Sequence, residues 1–119
     1  MKNMLIIDDD ADILNALSEL LTSEHYNVTI STNGRALEKI GNGHQAPDVI
    51  ILDVMLAGLD GRDLCRKIKK DEATKHIPVI MISAHPHVEK SVFKAGADDF
   101  IEKPFDINNL VQRIHTLVN

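Results

Sequence analysis

Short apolar runs alternate with stretches of helical periodicity along the whole chain. Met4-Leu5-Ile6-Ile7 has the character of a buried strand, and Asp8-Asp9-Asp10 stops it. Ile13, Ala16, Leu17, Leu20 and Leu21 then recur at helical spacing, with Asp10 and Asp12 placed to cap that helix or oppose its N-terminal dipole. Tyr26 to Ile30 is rich in β-formers. Asn33 is placed to cap a short helix through Ile40, which Gly41-Asn42-Gly43 ends. Val49-Ile50-Ile51-Leu52 is a second apolar strand, entered after Pro47-Asp48 and left at Asp53. A helix beginning near Gly61 carries Leu64, Cys65 and Ile68 inward, and Arg62, Arg66, Lys67, Lys69 and Lys70 outward. Val79-Ile80-Met81-Ile82 is a third such strand, starting at Pro78 and ending at Ser83. Another helix is predicted from about Pro86 to Lys94, stopped at Gly96, and Phe100-Ile101 forms a short last strand. Asp106 then caps a helix bearing Ile107, Leu110, Val111, Ile114, Leu117 and Val118.

This is a five-fold βα alternation. Strands apolar on both faces imply a parallel sheet with helices on each side, since only then are both faces dry. Right-handed crossovers make the solution an α/β fold, a three-layer, doubly wound (βα)5 sandwich. The 119 residues fit one domain, residues 1–119, with no linker-like stretch. With no Trp, three Phe and one Tyr, the core must be aliphatic. A net charge of −5 makes nucleic acid an unsuitable partner for this domain, because binding its phosphates needs a basic face. Cys65 is the lone cysteine, so no internal disulfide forms and a reducing compartment is expected. The N-terminal apolar run is too short for a secretory signal. No segment approaches the roughly 20 apolar residues of a membrane span. A soluble, cytoplasmic protein without a membrane partner is the expectation.

In a doubly wound sheet, ligands bind beyond the carboxyl ends of the strands. The residues that follow each apolar run are therefore the candidates: Asp8 and Asp9 after the first, Asp53 after the third, Ser83 after the fourth and Lys103 after the fifth. Any one of them alone reads as a helix cap or turn residue. Together they put three carboxylates, a hydroxyl and an ammonium on one rim. Crowded carboxylates repel unless a cation neutralises them, and magnesium, a hard ion taking oxygen ligands, does so well. Metal and lysine would share the charge on phosphate oxygens. A carboxylate is a suitable nucleophile there, since an acyl phosphate forms without removal of a proton from it.

With those residues in place, the chain resembles the receiver domain of bacterial two-component response regulators, the CheY-like family. The segments that carry the resemblance are Leu5-Ile6-Ile7-Asp8-Asp9-Asp10, Asp53-Val54-Met55 with Asp60-Gly61 downstream, Ser83-Ala84 and Lys103-Pro104-Phe105, and the match runs from about Met4 to Val118. The resemblance implies a flavodoxin-like strand order, 2-1-3-4-5. It implies Asp53 as phosphoacceptor, with Asp9, Asp53 and the main-chain carbonyl of Met55 binding Mg2+ (or Mn2+) directly and Asp8 acting through a bound water. Lys103 would pair with Asp53 and then with the phosphoryl group. Ser83 would donate its hydroxyl to a phosphoryl oxygen, as would the backbone amides of Val54 and Ala84. A cis Lys103-Pro104 bond is implied as well. Phe100 falls at the family's aromatic switch position. Its ring would turn inward as Ser83 moves, and the surface of the fourth helix, last strand and last helix would change shape. The implied partners are a sensor histidine kinase or histidine phosphotransfer protein upstream, and a downstream target or attached output domain. No separate enzyme activity is implied beyond self-phosphorylation and autodephosphorylation.

Three positions depart from the pattern or bear on its chemistry. Ala57 stands where the family often has Pro, and Met55 and His85 flank the site where the family tunes attack of water on the acyl phosphate. An Asp-nucleophile magnesium phosphatase is the alternative function, but it places a second Asp two residues after the nucleophile, where this chain has Met55. A nucleotide- or flavin-binding domain would need a Gly- or hydroxyl-rich loop after the first strand, where Asp8-Asp9-Asp10 stands. His85 and His87 fall short of a four-ligand metal set. His25, His44, His76 and His115 read as solvated.

Overall fold

The middle layer of the molecule is a five-stranded sheet. The computed structural model describes residues 2–40 and 46–118, so the Gly41-Asn42-Gly43 stop and His44 lie outside the described residues. The strands are β1 (Asn3–Ile7), β2 (Asn27–Ser31), β3 (Val49–Asp53), β4 (Val79–Ser83) and β5 (Asp99–Glu102). They are arranged 2-1-3-4-5 and every neighbouring pair is parallel. β3 and β4 are buried at every position, as apolar runs inside a three-layer fold must be. β2, at the sheet edge, is largely exposed and correspondingly polar.

The helices are α1 (Ala11–Ser23), α2 (Gly61–Lys70), α3 (Glu89–Lys94) and α4 (Ile107–Val118). Alternate residues of each central strand feed two separate cores. Met4, Ile6, Val49, Ile51, Ile80 and Ile82 pack with Leu14, Leu17 and Leu21 of α1 and with Leu110 and Ile114 of α4. Leu5, Ile7, Ile50, Leu52, Val79 and Met81 pack on the other face with Leu64, Cys65 and Ile68 of α2 and Val92 of α3. The period of two along the strands therefore decides which helix each side chain meets.

Several local features differ from the sequence expectation. The helix capped by Asn33 is a 3-10 helix, Gly34–Lys39, too short to bury a long stripe. The helix from Pro86 begins as a 3-10 turn through Val88 before α3. The buried stripe of α1 is Leu14-Leu17-Leu21, with Ala16 exposed. Arg62 and Lys69 are not on the solvent face. Lys69 crosses to the Ile77 carbonyl (2.7 Å) and to Asp98 (2.8 Å), and Arg62 folds back on Asp60. His115, exposed on α4, is tilted against Tyr26 and hydrogen-bonded to its hydroxyl at 3.2 Å. Cys65 is buried, as its inward position predicts, and burial pushes its thiol up to about 11.

Between β3 and α2 lies a small antiparallel hairpin, Met55–Leu56 with Leu59–Asp60, which the sequence pattern did not reveal. Gly58 turns it with φ +74°. Among the described residues no helix is long and apolar enough to cross a membrane.

Candidate functional site

The carboxyl ends of β1, β3, β4 and β5 open on the same rim and deliver its polar residues, two acids after β1 and one residue from each of the others. Asp8 follows β1, and its N–H donates to the Ser31 carbonyl at 3.2 Å, an extension of the β1–β2 ladder that points the side chain into the pocket. Its Oδ1 accepts the Asp10 N–H at 2.9 Å. Asp10 in turn caps α1 by accepting from Asp12 N–H (3.0 Å) and Ile13 N–H (3.4 Å), so the helix begins where the acids end. Asp53 is the last residue of β3. Asp8 is 2% exposed and Asp53 5%, while Asp9 is exposed at the mouth.

One carboxylate oxygen from each of Asp8, Asp9 and Asp53 lies within 4.8 Å of the others. Lys103 reaches them from the end of β5. Its Nζ is 2.9 Å from Asp8 Oδ2 and 3.3 Å from Asp53 Oδ2. Its own N–H donates to the Ser83 carbonyl at 2.7 Å, which fixes the strand end, and the Lys103-Pro104 peptide is cis. Burial and the Asp8 charge push Asp53 up to about 6, against the pull of Lys103. Burial works against the Lys103 ammonium, but its bonds to Asp8 and Asp53 more than compensate and hold it above the ordinary lysine value. Three carboxylates thus face a single ammonium. The two uncompensated negative charges and the all-oxygen donor set fit a hard divalent cation.

Ser83 is fully buried at the end of β4, and its Oγ accepts the His85 N–H at 2.9 Å. Ala84 is exposed at the start of the following loop. The Val54 amide, expected to face a phosphoryl group, does not. It donates to the Ile82 carbonyl at 2.9 Å, because the β3–β4 ladder continues one residue past Asp53. The amide that faces the carboxylate is that of Met55, 3.3 Å from Asp53 Oδ1. The Met55 side chain is 52% exposed beside the pocket. The Phe100 ring lies inward, 9% exposed, in the core beneath α2 and α3. Lacking a hydroxyl, it has no polar group to hold at the surface.

Sequence reasoning placed Gly61 at a helix start and in the Asp60-Gly61 segment but gave it no part in the site, yet the site rests on it. The Gly61 N–H donates to the Val54 carbonyl at 2.7 Å. A Cβ there would lie 2.1 Å from the Asp53 carbonyl oxygen, so only glycine lets α2 start against the Asp53 peptide. The signal was present in Asp60-Gly61 as a cap followed by the smallest residue.

A doubly wound α/β sheet with an acid cluster and a lysine at its carboxyl edge is a site suited to handling a phosphoryl group. Residues 4–115 match the model of the response regulator receiver domain family, and the chain belongs to that family. It is 36% identical over 120 residues to the DNA-binding dual master transcriptional regulator RpaA of Synechocystis sp., and covers 49% of that protein. It is 34% identical over 120 residues to the heme response regulator HssR of Staphylococcus aureus, covering 52% of it. The chain spans about half the length of these relatives. Among solved structures, the response regulator TrrA of Thermotoga maritima in complex with Mg(2+)-BeF superposes with TM-score 0.86 and 30% identity, over 98% of this chain and 99% of that one. A CheY-like receiver domain protein of Methanospirillum hungatei does so with TM-score 0.87 and 29% identity, over 98% and 92%.

Proposed function

We propose that residues 1–119 form one receiver domain in which Asp53 accepts a phosphoryl group from a sensor histidine kinase or a histidine phosphotransfer protein. The observation that carries this reading is the single ammonium of Lys103 bonded to both Asp8 and Asp53, the two buried members of a cluster of three acids. Asp8, Asp9, Asp53 and the Met55 carbonyl would hold Mg2+, with Mn2+ as a substitute. Bound there, the ion neutralises charge on phosphoryl oxygens and on the attacking carboxylate.

The transfer is one displacement. An Asp53 carboxylate oxygen forms the bond to phosphorus while the donor's N–P bond breaks, and the donor imidazole leaves with the electron pair. No proton has to be removed from the nucleophile. Lys103, already beside the acceptor, shifts its ammonium to the new phosphoryl charge. The Ser83 hydroxyl and the amides of Met55 and Ala84 donate to the remaining oxygens. Rate comes from positioning and charge, as in phosphoryl transfer generally. Movement of Ser83 and its loop would then alter the surface made by α3, β5 and α4, biasing an existing equilibrium toward the form that a target or an attached output domain reads. The Phe100 ring, expected to turn inward in that step, already lies inward here and has no such turn to make. The buried lone thiol of Cys65 suits a cytoplasmic setting.

Incubation with acetyl phosphate and magnesium, followed by intact mass measurement, tests the proposal. A phosphoryl adduct is expected on the wild type and none on Asp53→Asn. Equal labelling of both would remove Asp53 from the role.

A further inference from the structure

Arg62 follows the Asp60-Gly61 step at the base of the site, and it is the one basic residue of its helix that turns toward the site's base and α3. Its Nε lies 2.9 Å from Asp60 Oδ1 and its second terminal nitrogen 2.6 Å from Asp60 Oδ2, a two-pronged guanidinium–carboxylate pair. The remaining terminal nitrogen donates to Ser91 Oγ on α3 at 2.9 Å. Ser91 gives its own hydroxyl proton to the Val88 carbonyl at 2.7 Å, in the turn that links the Ser83-Ala84-His85 loop to α3. On the other side, Asp60 precedes Gly61, whose N–H is bonded to the Val54 carbonyl. One continuous set of bonds therefore joins the peptide after Asp53 to the helix beside Phe100.

α3 is otherwise lightly held. It has six residues, no side-chain cap at its N-terminus, and Val92 as its one fully buried side chain. Ser91 has a single hydroxyl proton, which Val88 takes, and a lone pair, which Arg62 uses. Any shift of the loop relative to Asp60 must stretch one of these two bonds.

We propose that Arg62 is a positioning residue that fastens α3 to the base of the phosphorylation site in the resting state, and so sets how readily the switch surface moves. The inference rests on Asp53 being the phosphoacceptor. Turning the Ser83 hydroxyl toward Asp53 gives up its bond to the His85 N–H and displaces the loop that ends at Val88. The Arg62–Ser91 contact opposes that displacement. Removing it lowers the cost of the switched state, and by linkage any ligand that favours that state binds more tightly.

The test is titration of the full chain with beryllofluoride and magnesium, together with amide NMR spectra of the free proteins and thermal melts. Arg62→Leu and Ser91→Ala are each expected to tighten binding about three- to tenfold, a typical size for a modest coupling. The double variant should gain no more than either single one, because both remove the same contact. Arg62→Lys keeps the charge but loses the planar fork, and should not restore wild-type affinity. The α3 amides of the free variants should move part of the way toward their positions in bound wild type. Unchanged affinity with only a lowered melting temperature, or additive gains in the double variant, overturns the proposal. A wild type that binds no beryllofluoride, or an Asp53→Asn protein that binds it equally, overturns the acceptor assignment first and this inference with it.

Discussion

Asp8, Asp9 and Asp10 are chemically identical, and direction alone separates their roles. Asp8 continues the strand ladder and is buried, Asp9 stands at the mouth, and Asp10 turns back to cap α1. Asp53 shares the interior with Asp8, and its carboxyl is raised from 3.8 to about 6 by burial first and the Asp8 charge second. An acid raised in the folded state holds its proton more tightly there than in the unfolded chain. Its contribution to stability is whole below its unfolded value and is lost as pH climbs through the folded one. In the absence of divalent ions, Asp53→Asn should therefore be more stable than wild type at about pH 8, by roughly 1–3 kcal/mol. The gap should close toward about pH 3, below the unfolded value, where the carboxyl is largely neutral in both states. Urea unfolding across that range decides it: a gap independent of pH would mean that Asp53 is not strained by its own charge.

The elements matter through where they begin. α2 starts against the Asp53 carbonyl, and Asp60 caps it through the Arg62 N–H at 2.9 Å. A methyl group at Gly61 meets backbone at 2.1 Å, and backbone cannot step aside as a flexible side chain can. Gly61→Ala is expected to cost about 2–4 kcal/mol in urea unfolding and to weaken beryllofluoride binding, because the Asp53-Val54 peptide must move. Gly58 makes the control. Its φ of +74° strains any replacement, yet nothing lies within 4 Å of its would-be Cβ. Gly58→Ala should cost only about 1 kcal/mol and leave beryllofluoride binding unaltered. Equal effects of the two substitutions on binding would show that hairpin strain, and not the α2 contact, governs the site.

At the scale of the whole molecule, the layers were legible in the sequence because two-sided burial writes itself as unbroken apolar runs, as at Val49–Leu52 and Val79–Ile82. The rim was legible for the same reason, since each run ends in the residue it delivers. The hairpin at Met55–Asp60 was not, because two-residue strands are shorter than any periodicity. The occupied Val54 amide was also hidden, for it depends on the register between β3 and β4, which a single strand's sequence does not contain. Nor does composition show that Arg62 and Lys69 leave the solvent face for partners on other elements. What the assembled fold adds is a net negative pocket whose cost is shared by three chain segments and which a divalent cation would relieve. A ligand that binds only the folded state stabilises it, by about 2.7 kcal/mol at a hundred times its dissociation constant. Asp9 is exposed, so Asp9→Ala should leave stability without metal within about 0.5 kcal/mol of wild type. On the proposed reading the same change removes one of the ion's donors, so the magnesium-induced rise in melting temperature, expected to be several degrees for wild type, should largely vanish. Thermal melts with and without magnesium, on both proteins, measure this directly. An undiminished rise in the variant would place the ion elsewhere, and the pocket's excess charge would then need another explanation.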